Sequence, residues 1–301
     1  MKIIERADLN TYKWDALVER SGGTVFSCSF YLDAVAENWC VLVDDSYTMG
    51  MALPYTVRAG QRMLCTPVFV RYLEWFGTEY AELSNLLKKY FKRADICVRT
   101  PVLSDGKDLI YQEILPGKGW KTNELTGRML KKFARSGIQI STGENTDQIL
   151  SIIRTELSKK VVSLDEKALN RLENLIVALS EREMLQITIA KEDNVFLGGA
   201  FFIHFGERLI YLKSAFLEEA KKSGVMYSVM FDKINASMER NNIFDFGGSR
   251  VPTVRQFNRN LGGLDQTYYQ FTWDNSPFWF KMIVFLRNTF FRQKISSIQK
   301  M

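Results

Sequence analysis

From residue 146 onward the hydrophobic positions fall into alternating helical and strand periods. Ile149, Ile152, Ile153, Leu157 and Val161 keep the spacing of one helix face, and Asn145 stands where that helix would be capped. Ser163 followed by Glu166 has capping-box spacing and predicts a second helix with Leu169, Leu172, Ile176 and Leu179 inward. LQITIAKED then alternates like a strand, and VFLGGAFFIHFGERLIYLKSAF reads as a hairpin turned at Gly206. A third helix is predicted after Gly224, with Tyr227, Met230, Phe231, Ile234 and Met238 on one stripe. The strand IFDFGG, a short helix over Thr253–Asn260, a Gly262–Gly263 stop and the strand TYYQFTW follow. The order is α-α-β-β-β-α-β-α-β. A long helix between strands needs a crossover while the hairpins before it are antiparallel, so an α/β (α+β) fold is expected, with a mixed, mostly antiparallel sheet flanked by helices.

The first third reads as β-rich with helical interludes. Short helices are predicted near Trp14–Glu19 and over SFYLDAVAEN, then three strands, WCVLVDD, TMGMALPYTV and MLCTPVFVRYLEWFG, with a turn at Ala59–Gly60 between the last two. A basic amphipathic helix, ELSNLLKKYFKRA, precedes the strand DICVRTPV. Pro116, Gly117 and Gly119 punctuate the next stretch, where Lys118–Arg135 holds six basic residues against Glu124 alone. The expected division is an N-terminal lobe over 1–118, a basic linker helix and strand over 119–145, a C-terminal lobe over 146–275 and a basic aromatic tail over 276–301.

Composition narrows the chemistry. With 46% apolar and 13% aromatic residues and 6 prolines in 301, the chain can bury a large core, which excludes wholesale disorder. Forty basic against thirty-four acidic residues leave +6, a mild cationic balance compatible with anionic ligands. The single histidine, His204, excludes multi-histidine metal sites and restricts any histidine triad to one residue, so no metal is expected. Cys28, Cys40, Cys65 and Cys97 form no C-x-x-C pair and read as buried thiols in a reducing compartment. MKIIERADLN lacks the apolar core of a signal peptide, and the longest aliphatic–aromatic run, Met282–Leu286, is too short to span a bilayer. A cytoplasmic protein, soluble or membrane-associated, is expected.

Two stretches give the element order a family likeness: KSAFLEEAKKSGVMYSVM, a strand, turn and helix, and IFDFGGSRVPTVRQFNRNLGG. The chain resembles the GNAT acyltransferase superfamily, and the second stretch resembles its Fem-type branch through Asp245, Phe246, Gly247, Gly248, Ser249, Phe257, Leu261 and Gly262. The likeness covers 146–273 and extends more weakly over 1–118, which implies a tandem pair of GNAT-like lobes. It implies an acyl- or aminoacyltransferase acting on an amine, on a small-molecule or cell-envelope-precursor substrate, with acyl-CoA as donor ahead of aminoacyl-tRNA. The coiled-coil arm that some Fem-type enzymes carry would need more than 146–183, which Ser163 interrupts, so tRNA is disfavoured and no other nucleic-acid partner is expected.

The residues offer candidate roles, each with an alternative. Lys221, Lys222, Ser223 and Gly224 precede a helix whose first amides are free for an anion. In GNAT enzymes that loop holds the cofactor pyrophosphate, so the resemblance makes these residues and Tyr227 cofactor-binding; the alternative is a solvated Lys-Lys pair before a helix cap. Met226 stands where the family has a second small residue. Asp245, Ser249 and Asn258 are catalytic candidates: Asp245 as a base for the attacking amine or as a partner of the next turn amides, Asn258 as a hydrogen-bond donor where Fem-type enzymes have lysine. Lys213, with Tyr211, would face the cleft where GNAT strands splay, and Arg250 and Arg259 would clamp a carboxylate or phosphate in the substrate or decorate the surface. His204 reads as a general base or a packed strand residue.

Two cationic features lie outside that set. Arg128, Lys131, Lys132 and Arg135 recur at helical spacing and form either a solvated face or a seat for a tRNA backbone, an anionic glycan precursor or acidic lipid. The tail PFWFKMIVFLRNTFFRQKISSIQKM mixes aromatic bulk with cations and either lies in a membrane interface or packs on the first lobe. The alternative to a transferase is therefore a non-catalytic GNAT-fold module that binds an anionic lipid or glycan.

Overall fold

Alternating apolar residues make the strands and three-to-four spaced ones make the helices, in a computed structural model that describes residues 1–158, 166–248, 250–280 and 282. The first half runs β1 (Lys2–Glu5), α1 (Thr11–Arg20), α2 (Ser29–Val35), β2 (Asn38–Val43), β3 (Gly50–Arg58), β4 (Gln61–Cys65), β5 (Trp75–Phe76), α3 (Leu83–Tyr90), β6 (Arg93–Val98) and β7 (Lys107–Ile114). It continues with α4 (Glu124–Phe133), β8 (Gln139–Thr142), α5 (Thr146–Ser158), α6 (Glu166–Ser180), β9 (Leu185–Glu192), β10 (Val195–Phe205) and β11 (Arg208–Phe216). The last elements are α7 (Glu218–Ser223), α8 (Val225–Glu239), β12 (Ile243–Asp245), α9 (Pro252–Asn260) and β13 (Leu264–Asp274).

All these strands join one sheet, in the order β1-β2-β3-β4-β6-β13-β7-β12-β11-β10-β9-β8, with β5 against β3. Only β4–β6 and β11–β12 pair in parallel; the other pairings among named strands are antiparallel. The expected α/β sheet, mostly antiparallel and flanked by helices, is therefore present. Its two lobes, β1–β6 and β8–β12, are joined by β7 and β13, two strands far apart in the chain. β13 pairs with β6 of the first lobe, and β7 pairs with β12 of the second. The seam between lobes is thus backbone-bonded, not merely packed.

Three apolar clusters hold the layers. Trp14, Tyr31, Leu42, Leu53, Ile96 and Val98 belong to the first-lobe core, which also takes in Leu175 and Leu179 of α6. Phe202, Val229, Met230, Ile234 and Phe244 pack α8 on one face of the second lobe, and Ile149, Ile153, Leu169, Leu172, Ile176 and Phe201 pack α5 and α6 on the other. The inward residues predicted for the second helix are thus core residues, while Val161 and Ser163 lie outside the described residues.

Most predicted elements occur where the periodicity put them, including the turn at Ala59 and Gly60, both at positive φ. One predicted strand does not run its length: MLCTPVFVRYLEWFG pairs only over Gln61–Cys65 and Trp75–Phe76. Pro67, which has no N–H to give a ladder, accepts a turn bond from Val70 N at 3.1 Å instead. β7 escaped prediction because its buried half, Tyr111 to Ile114, includes Gln112 and Glu113. The four cysteines are free thiols, with Cys28, Cys40 and Cys97 buried, and burial pushes the Cys40 thiol up to about 12. No helix among the described residues is long and apolar enough to cross a membrane. Most of the 276–301 tail lies outside the described residues; at its start Phe280 is buried and Phe278 is 80% exposed.

Candidate active site

β11 and β12 pair over only three residues, Arg208–Ile210 against Ile243–Asp245. Where that pairing ends, at the seam of the lobes, lies a cavity of about 400 Å³. Tyr211, Leu212 and Lys213 line one side and Gly247, Gly248 and Arg250 another, with Arg71, Cys97 and Tyr268 from the first lobe and β13. Gly247 lies so close to β11 that a Cβ would collide with the Tyr211 carbonyl, and its φ of +77° also suits glycine. Lys213 and Arg250 thus share one cavity. The Arg250 Nη2 donates to Cys97 Sγ at 3.2 Å. Burial and Cys97 push the Tyr268 hydroxyl pKa up against the opposing pull of Arg250, and burial likewise raises that of Tyr211, whose hydroxyl bonds Ser214 at 2.7 Å.

Asp245 sits beneath the Gly247–Gly248 turn and is fully buried. Its carboxylate receives both ends of the Arg71 guanidinium, one at 2.8 Å from Nη1 to Oδ2, and accepts Gly247 N at 2.9 Å. Arg208, 2.9 Å from Glu113, stands 3.6 Å from the same carboxylate. Arg71 also donates to the Gly247 carbonyl at 3.3 Å, and its guanidinium lies 4.2 Å from the Tyr111 ring centroid. Burial alone would lower the Arg71 pKa, but Asp245 outweighs it and keeps the guanidinium charged. In this geometry the buried Asp245 carboxylate accepts three hydrogen bonds, one of them from the Gly247 amide of the turn that follows it. It also ties the two lobes together through residues 174 positions apart.

The other expected residues fall in two further places. Asn258, nearly fully buried, donates to Gln112 Oε1 at 3.1 Å; Gln112 donates to Asp265, which pairs with Arg259 at 2.5 Å. That chain pins α9 to β7 and β13 and places Asn258 and Arg259 outside the seam cavity. Ser249 lies outside the described residues. His204 lines a different cavity, at the opposite end of β11.

The α7–α8 turn differs from an open berth. Gly224, at φ +93°, caps both helices, and a Cβ there would stand 2.8 Å from the Met129 carbonyl of α4. Its own carbonyl accepts the Tyr227 and Ser228 amides, and Tyr227 packs edge-on against Phe257, ring centroids 4.8 Å apart. Lys221 is paired with Glu156 and, at 2.8 Å, with Glu218, whereas Lys222 is exposed. Burial opposes the charge on Lys221, but the two carboxylates prevail and raise its pKa. The unneutralised charge lies beside the turn instead: Arg128, Lys131, Lys132 and Arg135 of the α4 region border a cavity of about 470 Å³ together with Ser223. None of these four cations forms an ion pair among the described residues. Lys221 is thus paired with two carboxylates, whereas the cations of the α4 region beside Ser223 are not.

Residues 126–257 match the family profile described as acetyltransferase (GNAT) domain. These residues form a GNAT domain. No curated protein matches the chain. Among solved structures it is similar to FemX, at 10% identity and TM-score 0.61 over 89% of this chain and 97% of that one. The C-terminal domain of a putative lysylphosphatidylglycerol synthetase from Agrobacterium fabrum is similar at 10% identity and TM-score 0.59, covering 88% and 92%. A tandem GNAT protein from the clavulanic acid biosynthesis pathway matches at 11% identity and TM-score 0.52, covering 92% and 99%. The expected tandem, Fem-like architecture is thereby found across both lobes.

The GNAT domain begins within α4, so the four cations belong to it, whereas Arg71, the partner of its Asp245, does not. Sequence reasoning noted the α4 cations and the α7–α8 turn separately but not their meeting. It missed Arg71 and Arg208 altogether. Arg71 stands in an aromatic run with no pattern of its own, and only an apolar neighbourhood containing one arginine hinted at a buried charge. Among the described residues, no group of three or more His, Cys, Asp or Glu side chains is arranged to hold a metal ion.

Proposed function

We propose that this chain transfers an acyl or aminoacyl group from a phosphate-bearing donor to an amine. One observation carries the reading: a single GNAT domain borders both a cationic cavity, between α4 and Ser223, and the seam cavity lined by Lys213 and Arg250. The first suits the donor's phosphates, since four cations without carboxylate partners gain most from an anion. The second suits the reacting centre and acceptor. An amine attacks the donor carbonyl, the C–N bond forms, and the thiol or hydroxyl of the carrier departs, with no covalent enzyme intermediate. The Gly248 amide, at the cavity wall and without a hydrogen-bond partner among the described residues, is the donor for the developing oxyanion. Lys213 and Arg250 hold an anionic group of the acceptor; Asp245 keeps the turn in place, and the amine proton passes to solvent or the leaving group.

Acyl-CoA is the first donor to test and aminoacyl-tRNA the second. A cell-envelope acceptor is supported by a similar structure named for the synthesis of an aminoacylated phospholipid. The site of action in this reading is cytoplasmic, and peripheral membrane contact is supported by the exposed Phe278 and Trp279 ahead of the cationic tail. The test is transfer of label from acetyl-CoA, longer acyl-CoAs or charged tRNA to phosphatidylglycerol vesicles and to amine-bearing wall precursors. Saturable transfer that Arg250→Ala abolishes is expected. If no donor binds, stabilises or reacts, while anionic vesicles or glycans bind through the exposed α4 cations, the chain is instead a non-catalytic anion-binding module.

A further inference from the structure

At the far end of β11 from the seam, a third cavity of about 520 Å³ opens between the second-lobe sheet and the C-terminal half of α8. Its walls bring together Lys233 and Arg240 of the α8 end, His204 of β10, and the neutral polar groups of Gln186 and Asn242. The strand register puts His204 two residues beyond Phe202, on the face that meets α8. Lys233 is half-buried; its ammonium lies 5.4 Å from the Phe202 ring centroid, and its hydrogen bond is a 3.3 Å contact to the Gln186 amide oxygen. No carboxylate pairs with it, and Arg240 has no ion-pair partner among the described residues. Glu144, on the segment after β8, is the one acidic residue in the cavity wall. Burial and the like charge of Arg240 both push the Lys233 pKa down, against the weaker opposite influence of Asp232, as expected of a cation that lacks its counter-ion.

A half-buried ammonium held only by an amide oxygen and a ring face carries desolvation cost without compensation. The end of α8 adds negative dipole there and Glu144 one carboxylate, but the two cations Lys233 and Arg240 exceed them together, and the volume suits a small metabolite. We propose that this cavity binds a small phosphomonoester, whose near-dianionic headgroup lies between Lys233, Arg240 and His204. The site is separate from both cavities of the transfer reaction, so it stands or falls independently of that reading.

Because His204 is the sole histidine of the chain, its imidazole resonances report this site alone. The experiment titrates the full chain with inorganic phosphate and with phenyl phosphate, followed by His204 NMR shifts and by thermal midpoint. Saturable His204 shifts are expected, with at least tenfold weaker binding in Arg240→Gln and in Lys233→Gln and unchanged binding in Lys222→Gln. Arg240 is exposed and its replacement leaves the core untouched, so it decides the matter should Lys233→Gln fold poorly. A His204 signal that phosphate and phenyl phosphate do not move, or shifts that survive Arg240→Gln unchanged, would overturn the proposal. A response to inorganic phosphate and none to phenyl phosphate would overturn its assignment to a phosphomonoester.

Discussion

Replacing Asp245 with asparagine separates a structural carboxylate from a catalytic one. The side chain is fully buried, and its partner Arg71 is 3% exposed. The substitution keeps volume and removes the charge that compensates Arg71 and, in part, Arg208. Removing one partner of a buried, well-bonded ion pair costs about 3–5 kcal/mol, because the remaining charge stays out of water. For a chain of this size that corresponds to a fall in thermal midpoint of roughly 5–8 °C. Circular dichroism during urea and thermal unfolding measures it, with fluorescence as a second probe of two-state behaviour. The double variant Arg71→Met with Asp245→Leu removes both charges and should lose at least ~2 kcal/mol less than the sum of its single variants. A cost below about 1 kcal/mol for Asp245→Asn, or strict additivity, would refute the reasoning. Loss of transfer with undiminished stability would restore Asp245 as a base.

Three further outcomes follow from the same geometry. Changing Arg128, Lys131, Lys132 and Arg135 together to glutamine should weaken donor binding at least about tenfold and flatten its salt dependence, with stability nearly unchanged because the positions are exposed; calorimetry at two ionic strengths checks this. Gly224→Ala should destabilise by roughly 1–3 kcal/mol in urea unfolding, since alanine must adopt positive φ and meet the Met129 carbonyl. Asp44 is part-buried, which would raise its pKa, but bonds from the Met49 and Thr48 amides and the Thr48 hydroxyl win and lower it. Its contribution is therefore full above the unfolded carboxylate pKa and lost as pH falls through the folded one. The stability difference between wild type and Asp44→Asn should shrink towards pH 3 in unfolding curves, and a difference that grew on acidification would contradict the assignment.

Local pattern carried much of the fold. The α6 stripe Leu169, Leu172, Ile176 and Leu179 became core, and Gly206 turned the β10–β11 hairpin. What escaped depends on residues far apart in the chain. β7 hides behind its polar Gln112 and Glu113, which are buried with partners from distant elements, Asn258 and Asp265 for Gln112 and Arg208 for Glu113. The exchange of β7 and β13 between lobes leaves no periodic trace, since either strand alone reads as an ordinary edge. The same distance hid the Arg71–Asp245 contact and so made Asp245 look free. The α7–α8 turn looked open because Lys221 and Gly224 were judged without Glu156 and Met129, which come from earlier helices.

The central claim is that a phosphate-bearing donor lies on the GNAT domain against α4 and Ser223. A crystal structure with a hydrolysis-resistant acyl-CoA analogue, the first donor candidate, tests it most directly. The account predicts the pyrophosphate among Arg128, Lys131, Lys132 and Arg135, with the acyl end directed to the Gly247–Gly248 turn. Pyrophosphate density anywhere else on the chain would contradict it.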